Sequence, residues 1–214
     1  MTRRDGLVSL TAGLAVLAIG MLIVRDGQVP GWEESIFHAV NDLPEGLYPV
    51  LWPFQQLGAL LVGPIVAVIA LVLRKYWLAL ALVVATVLKL VTERAVKVFV
   101  TRERPGTSIG PPPEIHTRGD VSLTGESFVS GHAVLVAAIA GVLTPYLPPR
   151  WKPVPWVLLG MVMITRVYVG AHNPLDVVCG AALGIAIAAA INLVVDLLRR
   201  QAPAPAEEVT APSP

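Results

Sequence analysis

Apolar residues arrive in long unbroken runs rather than in alternating or single-stripe patterns. Six segments, about 6–24, 57–73, 76–100, 131–147, 154–171 and 175–197, are apolar nearly all round. A helix needs roughly 20 such residues to cross a bilayer, somewhat fewer when flanking side chains reach the interface. The pattern predicts an all-α, polytopic membrane protein with six transmembrane helices. Between the first two runs, Trp32, Ile36 and Val40 recur every four residues, which predicts a short amphipathic helix lying in the interface. Trp52, Pro49 and Pro53 suit the same headgroup zone. The fifth and sixth runs follow each other closely through a His-Asn-Pro turn. The run from Gly6 to Val24 exceeds a typical signal-peptide core and lacks a small-x-small cleavage site after it, so it reads as a retained anchor. Residues 201–214, rich in Pro, Ala and Glu, read as a solvated disordered tail. The chain divides into 1–56 (first span and interfacial segment), 57–200 (helical core) and that tail, with no internal repeat.

Composition agrees with this reading. Apolar residues make up 55% of the 214-residue chain and charged ones 14%, against about a quarter charged in soluble domains. A net charge of +1 gives no basic field and no reason to expect nucleic acid as a partner. One cysteine, Cys179, excludes an intrachain disulfide and reads as a small buried apolar residue; no Cys/His spacing resembles a zinc site. Charge also predicts orientation. Arg3-Arg4, Arg74-Lys75, Arg150 with Lys152, and Arg199-Arg200 all fall on one side when both termini are cytoplasmic. The stretches 25–56, 101–130 and 172–174 then face outward.

Those outer stretches hold the polar residues with chemical potential. Lys97 and Arg104 are seven apart, so a continuing helix would carry both on one face, while Pro105 biases Arg104 out of helical geometry. Ser130-Gly131-His132 opens the fourth run. Ser130 is a good N-cap, free backbone N–H groups there form an anion cradle, and Gly131 allows close approach. In Thr165-Arg166-x5-His172-Asn173-Pro174-Leu175-Asp176, Asn173 reads as N-cap and Pro174 as first helical residue, which sets Asp176 beside His172. Three cations (Lys97, Arg104, Arg166), one helix start, two histidines and one carboxylate suit phosphoryl transfer: positioning, charge neutralisation, a nucleophile and a proton donor. His172, oriented by Asp176, serves as nucleophile. His132 serves as general acid and then as base.

At these residues the chain resembles the type 2 phosphatidic acid phosphatase (PAP2) superfamily, which includes the vanadium haloperoxidases. The family signatures Lys-x6-Arg-Pro, Pro-Ser-Gly-His and Ser-Arg-x5-His-x3-Asp read here as Lys97 to Arg104-Pro105, Val129-Ser130-Gly131-His132, and Thr165-Arg166 to His172 to Asp176. Val129 stands where the family has proline, and Thr165 where it has serine but keeps the hydroxyl. The resemblance covers about residues 57–197. It implies a PAP2/haloperoxidase-like six-helix core, a phosphohistidine on His172, and hydrolysis without metal or other cofactor. Lys97, Arg104, Arg166, Ser130 and the Gly131 amide would hold the phosphate. The expected function is an integral-membrane lipid phosphatase of the plasma membrane with its site on the outer face. Its candidate substrates are a polyprenyl diphosphate carrier, phosphatidic acid and phosphatidylglycerol phosphate. Alternatives are a non-enzymatic lipid or anion transporter, which the lack of an inverted repeat opposes, and a haloperoxidase, which the membrane setting opposes.

Other polar residues read as structural. Lys89, Glu93 and Arg94 suit salt bridges within or between helices. His116, Arg102 and Arg118 read as solvated outer-loop residues, and His38 as surface decoration without a nearby acid partner. The Gly180-x3-Gly184 spacing reads as a packing seam within the monomer.

Overall fold

The computed structural model describes residues 2–201, so the predicted tail beyond Gln201 lies outside the described residues. Among these the chain is all-helical: α1 (Arg3–Ile23), α2 (Gly31–Asn41), α3 (Tyr48–Gln56), α4 (Val62–Val72), α5 (Tyr76–Phe99), α6 (Pro105–Ser108), α7 (Gly131–Leu143), α8 (Val154–Tyr168) and α9 (Pro174–Gln201). Each of the six apolar runs contains one helix. Only α1, α5 and α9 are long and apolar enough to cross a membrane by themselves. The three others are shorter: α4 has 11 residues, α7 has 13 before a 3-10 turn, and α8 has 15. Pro145 lies in the turn that ends α7, and α8 stops at Tyr168, just ahead of the left-handed turn at Gly170. The six-span expectation therefore reduces to three full-length helices and three shorter ones.

α9 is the axis of the bundle. It packs most extensively on α7 and on α1. Small residues make this possible: a β-carbon on Gly180 would come 2.7 Å from the Ser130 carbonyl oxygen, and one on Gly184 would come 2.6 Å from the Ala137 methyl. The Gly180-x3-Gly184 seam is thus an internal packing surface, as expected. Cys179 is free and buried on another face of α9, where its sulfur packs against Gly20 of α1. Outward, Leu14, Ile19, Val68, Leu71, Leu80, Val87 and Val91 are exposed, an apolar surface suited to hydrocarbon.

The helices sort charge between the two ends. At one end Arg3 lies with Leu197 and Arg200, and Arg199 donates to the Tyr146 hydroxyl (2.8 Å) and stacks over Trp77, next to the Arg74-Lys75 turn. The four basic pairs gather there. The opposite end brings together the N-termini of α7 and α9 and the C-termini of α5 and α8, roofed by α2, α3, α6 and the loop 101–129.

α2 departs from the expected interfacial helix. Trp32 and Ile36 are indeed exposed (50% and 47%), but the opposite stripe of Glu33, Phe37 and Asn41 is fully buried against the bundle. Asn41 donates to the carbonyls of His116 (2.7 Å) and Tyr168 (3.0 Å), and its own side-chain oxygen accepts from the His116 amide (2.7 Å). Arg118 is likewise buried, not solvated. It donates to the carbonyls of Asn41, Tyr168 and Leu43 and stacks 4.0 Å over the Tyr168 ring. Its guanidinium satisfies helix-end carbonyls that would otherwise be orphaned. His38 does have an acid partner, Asp42, at 3.4 Å. His116 is exposed, in keeping with a loop role.

Candidate active site

α5 ends at Phe99, earlier than a helix carrying both Lys97 and Arg104 would require. Arg104 instead has extended geometry as N-cap of α6, the conformation that Pro105 favours. Its guanidinium donates to the Ala171 carbonyl at 3.0 Å, which ties it to the loop carrying His172. That loop is short and over-determined. Gly170 adopts φ +75°, and the amides of Ala171 and His172 both return to the Arg166 carbonyl (3.1 and 3.3 Å). Only a residue without a β-carbon turns this way so near the His116 carbonyl, 2.8 Å from where that carbon would sit.

Pro174 starts α9 as expected, but the side-chain oxygen of Asn173 is buried without a partner and caps no amide; instead the Asp176 carboxylate accepts from the Asn173 amide at 2.8 Å. Its contact with His172 is less direct than anticipated. Asp176 Oδ2 lies 3.7 Å from His172 Nδ1, beyond hydrogen-bond range. Ser127 fills the gap. Its hydroxyl donates to Asp176 Oδ2 in a short hydrogen bond and lies 3.2 Å from His172 Nδ1. Since the only hydroxyl proton points to the carboxylate, Ser127 Oγ must accept, which assigns the imidazole proton to Nδ1 and leaves the Nε2 lone pair free. Burial pushes His172 down to about 4, with Asp176 opposing and the charges of Arg166 and Arg104 adding to the effect. The ring is therefore neutral at pH 7.

Behind Asp176 stands Arg102, fully buried where a solvated loop residue was expected. Its Nη1 donates to Asp176 Oδ1 at 2.9 Å and its Nη2 to Glu33 at 2.5 Å. Glu33 also accepts from the Leu175 amide at 2.8 Å. Burial alone would lower the Arg102 pKa; the two carboxylates outweigh it and raise the value. Neither Glu33 nor Ser127 stands out in the sequence, because an isolated acid or serine in a polar stretch carries no periodic signal.

The other expected residues meet at the same end. Ser130 is the N-cap of α7, yet its side chain makes no capping bond; its Oγ is buried without a partner, as is Arg166 Nε. Arg166 Nη1 donates to Gln55 of α3 at 3.1 Å. His132 lies within electrostatic reach of Arg166, His172, Lys89 and Arg104, and is backed by Gly58, where a β-carbon would come 2.5 Å from the ring. Lys97 pairs with Glu93 at 3.0 Å, and Glu93 with Lys89 at 2.7 Å, so the helical salt bridge expected of Lys89 and Glu93 is present and extends to Lys97. Arg94 is exposed. The two departures from the signatures lie in packing: Val129 is buried in the core, and the Thr165 hydroxyl bonds back to the Met161 carbonyl at 2.7 Å.

This convergence of a free imidazole nitrogen, two unpartnered buried donors and several cations coincides with a match of the PAP2 superfamily model to residues 74–200. The chain belongs to the PAP2 superfamily. A curated relative, the undecaprenyl-diphosphatase of Sulfolobus acidocaldarius, is 31% identical over 126 residues, covering 56% of this PAP2 chain and 57% of the relative. The chain thus spans little more than half the length of that protein. Two solved PAP2-like structures share the fold. A transmembrane PAP2 type phosphatidylglycerolphosphate phosphatase from Bacillus subtilis superposes with a TM-score of 0.72 at 20% identity, covering 89% of this chain and 99% of its own. LpxE of Aquifex aeolicus gives 0.67 at 24% identity, with 74% and 93% covered.

Proposed function

We propose that this chain is an integral-membrane lipid phosphatase that works through a phosphohistidine on His172 and needs no metal. The observation that carries the reading is the buried His172, held at Nδ1 by Ser127, which is itself bonded to Asp176, so that Nε2 is left for attack with the charges of Arg166 and Arg104 acting on the ring. Lys97, Arg104, Arg166, the Ser130 hydroxyl and the Gly131 amide bind the phosphoryl oxygens. Guanidinium groups and helix-start amides are suited to spread tetrahedral charge. Nε2 attacks phosphorus, the bond to the lipid oxygen breaks, and His132, whose charged form the bound phosphate dianion favours, gives its proton to that leaving oxygen. A water then attacks phosphorus as His132 takes its proton. The N–P bond breaks, its electron pair returns to Nε2, and inorganic phosphate leaves. The imidazolium that forms during attack is stabilised by Asp176 through Ser127.

The clustering of all four basic pairs at the far end supports cytoplasmic termini and a site at the outer rim of the plasma membrane, where a headgroup meets protein while the chain stays in lipid. Among the three candidate substrates, the activity named for the Sulfolobus relative favours a polyprenyl diphosphate over phosphatidic acid and phosphatidylglycerol phosphate. Full-length protein in detergent, given all three substrates with a chelator present, releases phosphate fastest from the diphosphate, and His172→Ala abolishes release. Unchanged turnover in that variant, or transport without phosphate release, rejects the reading.

A further inference from the structure

A carboxylate borders the proposed phosphate cradle. Gly131, the first residue of α7, lies so near Glu93 that a β-carbon there would come 2.7 and 2.8 Å from its two carboxylate oxygens. The same carboxylate holds Lys97 at 3.0 Å and Lys89 at 2.7 Å, and all three side chains are largely buried (23%, 11% and 16% exposed for Lys97, Lys89 and Glu93). Its charge also bears on Arg104, where it opposes the lowering that burial imposes. Glu93 therefore addresses the cation, the helix start and the guanidinium that the phosphate itself would use. A dianion and a carboxylate a few ångströms apart repel strongly at the reduced dielectric of such a site.

We infer that Glu93 is a resident competitor for the phosphate site: it occupies Lys97 and the α7 start between turnovers, and an incoming phosphoryl group must take Lys97 from it. This rests on the phosphate-site reading above and adds a determinant of anion selectivity to it. Lys89, one turn deeper, gives the displaced carboxylate a partner to keep, so exchange does not strand a buried charge. The consequence is selective. A lipid substrate has its chain to add binding energy, whereas free inorganic phosphate has only the cradle and is held weakly, which favours release of product. Glu93 makes no bond to reacting atoms in this scheme; it acts through Lys97.

The test compares wild type, Glu93→Asp and Glu93→Gln as full-length purified protein, with orthophosphate and orthovanadate as probes. Inhibition constants for both anions should fall at least about tenfold in Glu93→Gln, since one repelling charge is removed, with Glu93→Asp between. A purely structural salt bridge would instead lower the melting temperature and leave anion affinity unchanged or weaker, and that result overturns the inference. If Glu93→Gln does not fold, the order of wild type and Glu93→Asp decides it. Calorimetric titration of orthophosphate separates the two readings. Phosphate binding without any hydrolysis removes the phosphatase but still lets the Glu93 series decide, whereas no phosphate binding to wild type or variant overturns both.

Discussion

Ser127 contributes one hydroxyl, and its position between His172 and Asp176 governs what each imidazole nitrogen can do. Without it the 3.7 Å gap leaves the ring without a hydrogen bond at Nδ1, and both tautomers become accessible. A hydrogen bond in a charged relay is worth about 2 kcal/mol, so Ser127→Ala should lower kcat on the order of 30-fold with little change in KM. Steady-state kinetics on the preferred lipid phosphate read this directly. An unaltered kcat would mean that Asp176 orients His172 unaided. The signature residues themselves were legible in the sequence, because each belongs to a fixed spacing whose chemistry is self-consistent. Ser127 was not, since nothing in Glu126-Ser127-Phe128 distinguishes a relay from a loop serine.

At the level of elements, α2 is the piece that the apolar pattern described least well. Its exposed Trp32 and Ile36 mark one face, while the face that packs on the bundle carries Glu33 and Asn41, polar residues that periodicity assigns to solvent. Their partners lie far away in sequence: Glu33 meets Arg102 and Asn41 meets His116 and Tyr168. Such long-range polar pairs leave no local trace, which is also why Arg102 and Arg118 read as solvated. The Glu33–Arg102–Asp176 triad pins α2 to the start of α9, directly behind His172. Arg102→Met would leave two buried carboxylates without their counter-charge. Breaking a buried pair in this way typically costs about 3–5 kcal/mol. Thermal unfolding in detergent should show a correspondingly large drop, with Arg102→Lys milder; equal melting temperatures for all three proteins would show that the triad contributes nothing to stability.

The whole molecule works as a sorter of charge along its long axis. Apolar runs predicted the helices, and the basic pairs, read with the short turns, predicted which ends would lie together. The gathering of α5, α7, α8 and α9 ends into one polar rim follows from that antiparallel order. What the runs could not convey was length in the folded state, since Pro145 lies in the turn that stops α7 and the left-handed turn at Gly170 follows the early end of α8 at Tyr168. The resulting bundle holds a neutral imidazole, several cations and a resident carboxylate at one end, and lipid-suited surface around the rest. The central claim is that phosphate passes through His172. Rapid quenching of the His132→Ala variant with a lipid diphosphate labelled in its terminal phosphate, whose weakly basic leaving phosphate departs without a proton from His132, followed by peptide mapping under alkaline conditions, tests it most directly. Acid-labile label is expected on the peptide containing His172, accumulating because the second proton transfer is lost. Continued turnover with no label there, or label on another residue, would contradict it.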